Sequence, residues 1–214
     1  MKQRIAFFDV DGTVVQGNVE FAFIRSLAFR GQIGLRAFLW TLIELIRPKP
    51  AGIASHIRAN KGYLRGKTRE HIASSVAACM AWSLRRIHPK ARQEIARLHA
   101  EGVRVVLLSA SLGFLLARLG ENLGVEEIVG AEAEKRGEWY TGRLVPPQPF
   151  GAGKIVCAER ILKRTGAAPE DCSAFGNSVT DAPLLAFVGE AIAVDPSYLL
   201  FRHATRLKWK ITRW

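Results

Sequence analysis

The chain has 214 residues, 49% of them hydrophobic and 23% charged, which excludes a disordered chain and suits one domain, or one domain with a large insertion. A formal net charge of +12 points to an anionic partner (a phosphorylated substrate, nucleic acid or an anionic membrane surface) or simply to a basic exterior. Three cysteines, an odd number with no metal-ligand spacing, exclude a disulfide framework and fit reduced thiols in a cytoplasmic protein.

The opening MKQRIAFFDV lacks the apolar core of a signal peptide and runs almost at once into a strand. No apolar run reaches the ~18 residues of a membrane-spanning helix. The longest candidate, 21–46, is interrupted by Arg25, Arg30, Arg36 and Glu44. Ile5–Asp9 reads as a short strand buried on both faces. From Phe21 to about Leu84 apolar residues recur at helical spacing, and Pro48 and Pro50 divide the region. This stretch predicts a helical cap over 16–88, inserted after the first strand into a core of 1–15 and 89–214.

Beyond it the chain alternates. A helix over Pro89–Ala100 leads into a strand, Val103–Leu108, and Gly124 closes a helix over Gly113–Leu123. A short strand, Ile128–Gly130, precedes a hairpin over Trp139–Leu144 and a loop marked by Pro146, Pro147 and Pro149. A helix over Lys154–Thr165, a strand Ser173–Phe175, a helix Thr180–Phe187 and a strand Ala191–Val194 follow. Alternating strands and helices predict a parallel α/β sheet covered on both faces.

Ligands of open parallel sheets bind beyond the carboxyl ends of the strands. The polar residues at those ends are Asp9 and Asp11, Ser109-Ala110-Ser111, and Asn177 with Asp181; Lys154 opens a helix beside them. Neighbouring carboxylates repel, and burial raises their pKa. A hard cation such as Mg²⁺ relieves both and keeps water positions for a phosphate. One carboxylate can then attack phosphorus and the other can act as acid and base, while Ser109, backbone amides and Lys154 hold phosphoryl oxygens. Each piece alone has a plainer meaning: Asp-x-Asp-Gly as a turn, Ser109 as a strand-end residue, Lys154 as a solvated helix residue, Asp181 as a helix cap. A calcium loop is not continued, because TVVQGN follows.

These motifs give the chain a resemblance to a known family. FFDVDGTV, LLSAS, Lys154 in GAGK, and GNSVTD resemble the four motifs of the haloacid dehalogenase superfamily, in its phosphoserine-phosphatase-like branch, subfamily IB. YTGRLVPPQPFGAGK and DAPLLAFVGEAIAVDP are similar to the same branch, so the resemblance runs from Ile5 to about Pro196. It implies a Rossmann-like core with a helical cap, and a Mg²⁺-dependent phosphatase working through an aspartyl-phosphate. Asp9 matches the nucleophile and a metal ligand. Asp11 matches the acid/base, with its main-chain carbonyl a second ligand. Gly12 and Thr13 match the turn beside the phosphate, with Thr13 supporting the nucleophile. Ser109, Ala110 and Lys154 match the phosphate site, and Asn177 and Asp181 the metal site.

Two departures carry expectations. Asn177 stands where the family usually has Asp, so Mg²⁺ affinity should fall. Asn18 stands near the acidic cap residue that holds the amine of phosphoserine, with Glu20 close by, which counts against phosphoserine. The expected substrate is a small phosphorylated metabolite or a phospholipid headgroup phosphate. The alternatives are a non-catalytic module on an anionic membrane, or a phosphotransferase with an alcohol acceptor.

Arg25, Arg30, Arg36 and Arg47 alternate with apolar residues in the cap, and the tail RHATRLKWKITRW mixes basic residues with Trp209 and Trp214. Both stretches suit a peripheral membrane contact. They equally suit cap helices with a solvated basic face and a terminal strand or helix docked on the domain. No nucleic-acid motif accompanies them.

Overall fold

A computed structural model describes residues 3–34 and 61–214. Strand β1 (Ile5–Phe8) is sealed from solvent along its whole length. A strand alternates its side chains, so Ile5 and Phe7 enter one apolar cluster and Ala6 and Phe8 another on the opposite face. That two-sided burial is why this strand reads as an unbroken apolar run.

Helices α1 (Val19–Phe29) and α2 (Arg69–Leu84) pack against each other. After them come α3 (Pro89–Ala100), β2 (Arg104–Leu112), α4 (Gly113–Leu123), β3 (Glu127–Arg136) and β4 (Trp139–Val145). The chain continues with α5 (Gly153–Thr165), β5 (Cys172–Gly176), α6 (Ala182–Phe187), β6 (Glu190–Val194), α7 (Tyr198–Leu207) and β7 (Lys210–Thr212). The seven-stranded sheet has the order β4-β3-β2-β1-β5-β6-β7. Every neighbouring pair is parallel except β3 with β4. Helices α3 and α4 cover one face of the sheet, and α5, α6 and α7 the other. The expected parallel sheet between helical layers is therefore present.

The crossings into and out of the α1–α2 region run side by side. Val15 bridges Ile87 in antiparallel fashion, Gln16 N donates to Arg86 O at 2.9 Å, and His88 N donates to Val14 O at 2.8 Å. The divisions expected at Pro48 and Pro50, along with Arg36 and Arg47, lie outside the described residues. Among the described residues no helix is long and apolar enough to cross a membrane. The three cysteines are buried free thiols.

Two elements differ from the sequence reading, and the tail takes one of its two expected forms. β2 does not stop at Leu108 but continues through Ser109, Ala110 and Ser111 to Leu112, with its register against β3 shifting between Leu108 and Leu112. β3 is a ten-residue strand rather than a three-residue one, because its second half finds a partner in β4. The residues after Pro196 form α7 and the edge strand β7, both docked on the sheet. Trp209 and Trp214 turn inward, as a docked terminal segment requires. Trp209 packs on one core cluster. Trp214 stacks near Phe8 and Phe175 at centroid distances of 6.4 and 6.2 Å, and burying such a ring is worth more to the fold than leaving it in water.

Candidate active site

Asp9 is the first residue past β1, and its amide donates to Phe175 O of β5 at 2.9 Å, so its backbone is held between two central strands. Its Oδ1 accepts from Lys154 Nζ at 2.6 Å. The same ammonium donates to Asp181 Oδ1 at 2.7 Å, and Asp181 Oδ2 accepts from Ser178 N at 3.0 Å. Lys154 sits in the first turn of α5 and is 2% exposed. A buried ammonium is tolerated when carboxylates surround it. Burial works against the charge on Lys154, but Asp9 and Asp181 more than offset it and hold its pKa above the ordinary lysine value. Asp9 shows the opposite balance. Burial raises its carboxyl to about 7 even though Lys154 pulls it down, with Asp181 and Asp11 adding to the rise.

Asp11 is held from both sides. Its Oδ1 accepts from Val19 N at 2.6 Å, and its Oδ2 accepts from Ser111 Oγ at 2.7 Å and Ser109 Oγ at 3.2 Å. Val19 opens α1, so its amide is one of the donors a helix start leaves unpaired. Asn18 caps the same helix through Oδ1, which accepts from Phe21 N at 2.7 Å. Burial raises the Asp11 carboxyl, and the bonds from Ser111, Val19 and Ser109 pull it back.

The turn after Asp11 needs glycine. Gly12 has φ +85°, and a Cβ there would lie 2.1 Å from Asn177 Nδ2. Asn177 therefore lies across the backbone of the Asp9–Asp11 loop. Thr13 is 2% exposed, and its hydroxyl has no hydrogen-bond partner. Ser109 faces Asp11 and also accepts from Ser111 N at 3.1 Å.

The donor set suits a hard cation. Asp9 is buried and has a raised pKa, and among the described residues no donor lies on its second oxygen. The Asn177 amide abuts the same loop. Both oxygens of Asp181 are committed, to Lys154 and the Ser178 amide, and the Asp11 carboxylate is committed to two serines and Val19. Among the described residues no group of three or more His, Cys, Asp and Glu converges as a metal site. Oxygens of Asp9, Asn177 and the backbone, completed by water, are what a Mg²⁺ ion would find here.

A cavity of about 230 Å³ opens over Asp11 and Ser111, with Glu20, Lys61, Gln148 and Phe150 in its wall. Lys61 Nζ donates to Glu20, which also accepts from Tyr63 Oη at 2.5 Å. Burial, then Glu20, pushes the Tyr63 phenol well above its usual value. The Lys61–Lys67 segment is pinned to β4 through Lys61 N to Gly142 O at 2.9 Å and Gly66 N to Tyr140 O at 3.0 Å.

Asp9, Asp11 and Gly12, Ser109 and Ala110, and Lys154, Asn177 and Asp181 thus lie at one rim, while Thr13 is buried behind it. Ser111, Glu20 and Lys61 join them. Ser111 was detectable, since a residue two places beyond Ser109 on a strand shares its face. Glu20 and Lys61 are 41 residues apart, and nothing local couples them.

The family model for haloacid dehalogenase-like hydrolases matches residues 6–186. Phosphoserine phosphatase SerB1 of Mycobacterium tuberculosis is 30% identical over 220 residues, covering 96% of this chain and 69% of its own. Among solved structures, a protein of unknown function from Bordetella pertussis superposes with a TM-score of 0.82 at 25% identity, covering 99% of this chain and 98% of that one. A phosphoserine phosphatase held as an analogue of its phospho-aspartyl intermediate shares the fold, with a TM-score of 0.67 at 17% identity over 99% of this chain and 93% of that one. With its motif residues gathered at the carboxyl rim of a parallel sheet, the chain belongs to the haloacid dehalogenase-like hydrolase family and is a phosphatase similar to the phosphoserine phosphatases.

Proposed function

We propose that this phosphatase hydrolyses a small phosphate monoester in the presence of Mg²⁺, through an aspartyl-phosphate on Asp9. The observation that carries the reading is the pairing of two differently held carboxylates two residues apart, Asp9 on Lys154 and Asp11 on Ser111, with Asp11 lining the cavity. Asp9 attacks phosphorus as the bond to the alcohol oxygen breaks, and Asp11 in its protonated form delivers a proton to that oxygen. Burial favours this protonated form. Asp11 then takes a proton from water, which attacks phosphorus and releases phosphate and free Asp9. Lys154 offsets charge on Asp9 and the phosphoryl oxygens, and the Gly12–Thr13 turn and Ser109–Ala110 flank the phosphate. Bound at Asp9, Asn177 and the Asp11 carbonyl, Mg²⁺ would supply charge neutralisation for the phosphoryl group.

The substrate side follows from the cavity wall. Besides Asp11 it carries one carboxylate and one ammonium, Glu20 and Lys61, bonded to each other. An alcohol bearing an ammonium and a carboxylate can take one partner each. Phosphoserine, named for the relative SerB1, has both groups, so Glu20 supplies the charge that Asn18 lacks. The division into a core of 1–15 and 89–214 and a cap of 16–88 belongs to this proposal, supported by the adjacent crossings at Val14–Gln16 and Arg86–His88. The test is hydrolysis of p-nitrophenyl phosphate with and without Mg²⁺, together with acid-quench trapping of labelled protein. Turnover should require Mg²⁺ and vanish in Asp9→Asn with no label trapped; undiminished turnover in that variant would remove the covalent route.

A further inference from the structure

The last helix and strand present a surface that catalysis does not use. Leu200 and Ala204, four residues apart, seat α7 on the sheet. The rest of the helix faces out, and its outward residues are not the polar set a solvated face would carry. Tyr198, Leu199, Phe201 and Leu207 are 72%, 55%, 45% and 47% exposed, and Ile211 of β7 is 38% exposed. Among the described residues nine large hydrophobic side chains are exposed, and these five fall within fourteen positions. Isolated exposed apolar residues are ordinary, but a cluster marks a contact surface.

The charge carried by the segment itself is of one sign. From Tyr198 to Trp214 the chain carries Arg202, Arg206, Lys208, Lys210 and Arg213 and no acidic residue. All five are exposed. The acids beside it are engaged: Asp195 accepts from Trp214 N at 3.1 Å, Glu190 lies 3.8 Å from Lys210, and Glu94, which also senses Lys210, accepts from Arg97. Two grooves flank α7. One is lined by Pro196, Tyr198, Phe201 and Ile211 with Asp195 and Arg213 at its edge, and the other by Leu199, Arg202, His203 and Arg206. A groove walled by Tyr198, Phe201 and Ile211 beside one walled by two arginines matches a lipid, whose acyl part and anionic headgroup require the two separately.

We propose that α7 and β7 form a docking surface for an anionic lipid bilayer, with Tyr198, Leu199, Phe201 and Leu207 entering the interface and Arg202 and Arg206 meeting headgroup phosphates. A second copy of this chain is a poorer occupant, because it would set five basic residues against five. An acidic polypeptide or nucleic acid answers the charge but leaves the aliphatic side chains in water. Amphipathic helices with basic and aromatic residues bind membranes through both terms.

The test is flotation of the whole chain with vesicles of phosphatidylcholine, with and without phosphatidylglycerol, at low and high salt. Binding should require phosphatidylglycerol and weaken at high salt. Arg202→Glu with Arg206→Glu, and separately Tyr198→Ser with Phe201→Ser, should each lower it by about tenfold or more. Aryl phosphatase activity in solution should stay unchanged in both, which reports that they fold. Three results would overturn the proposal: no flotation at low salt, equal flotation with neutral vesicles, or variants that float like the parent chain. So would equally tight, similarly variant-sensitive binding to polyglutamate or a single-stranded oligonucleotide.

Discussion

Ser111 Oγ donates to Asp11 Oδ2 at 2.7 Å, while Ser109 Oγ reaches the same atom at 3.2 Å. A hydroxyl bond to a carboxylate at the shorter distance is the stronger of the two. It favours the charged form, opposing the burial that raises the Asp11 carboxyl. Ser111→Ala should therefore move the basic limb of the kcat/KM profile, where Asp11 must be protonated, to higher pH. Turnover should fall on the order of tenfold, the loss expected from one charge-assisted bond. A pH series on an aryl phosphate checks this, and an unmoved profile would reduce Ser111 to packing.

Asp9 makes stability depend on pH when divalent cations are absent. Its folded pKa of about 7 lies above the ordinary carboxyl value of 3.8, so the folded state keeps a proton that the unfolded chain releases. The contribution is complete below about pH 4 and is lost as pH rises toward 7. In EDTA, the melting temperature of the native chain should fall against that of Asp9→Asn between pH 5 and pH 7.5. Added Mg²⁺ should recover most of the difference at the higher pH. Parallel melting curves for the two proteins across this range would show that Asp9 is not held in this way.

Lys154 is the sole ammonium that Asp9 and Asp181 share among the described residues. Lys154→Met keeps most of the volume but leaves two buried carboxylates facing each other, a change that costs about 3–5 kcal/mol when one member of a buried pair is removed. Urea denaturation should show a loss of that size at pH 7.5, shrinking at pH 5 as a carboxyl takes up a proton. Phosphatase activity should fall by several orders of magnitude at either pH.

Glu20 and Lys61 form the charged part of the cavity wall. Glu20→Gln should cut kcat/KM for phosphoserine by about a hundredfold, the scale of losing a buried charged partner. It should leave p-nitrophenyl phosphate within a fewfold of the native value. Equal losses for both substrates would mean that Glu20 supports the fold around Asp11 and does not contact the alcohol.

Asn177 contributes a neutral amide where a carboxylate would add charge. Asn177→Asp should lower the Mg²⁺ concentration for half-maximal activity about tenfold, since a negative oxygen ligand binds a hard cation more tightly. A magnesium titration of both proteins decides it, and identical requirements would remove the charge argument.

Much of this was written locally in the chain. The unbroken apolar run Ile5–Phe8, the Gly that closes α4 and α5, and the polar residues stopping each strand are signals within a few residues, and they suffice for a parallel sheet with its rim of Asp9, Asp11, Lys154 and Asp181. The pairing of Glu20 with Lys61, the turn of Ser109 and Ser111 onto Asp11, and the inward packing of Trp209 and Trp214 belong to the tertiary structure alone. Each depends on groups tens of residues away, and a side chain's partner in such a contact is chosen by packing and burial rather than by local backbone preference. The tail makes the point most directly. Its sequence is basic and aromatic throughout, and only docking α7 through Leu200 and Ala204 decides which aromatics are hidden and which face outward.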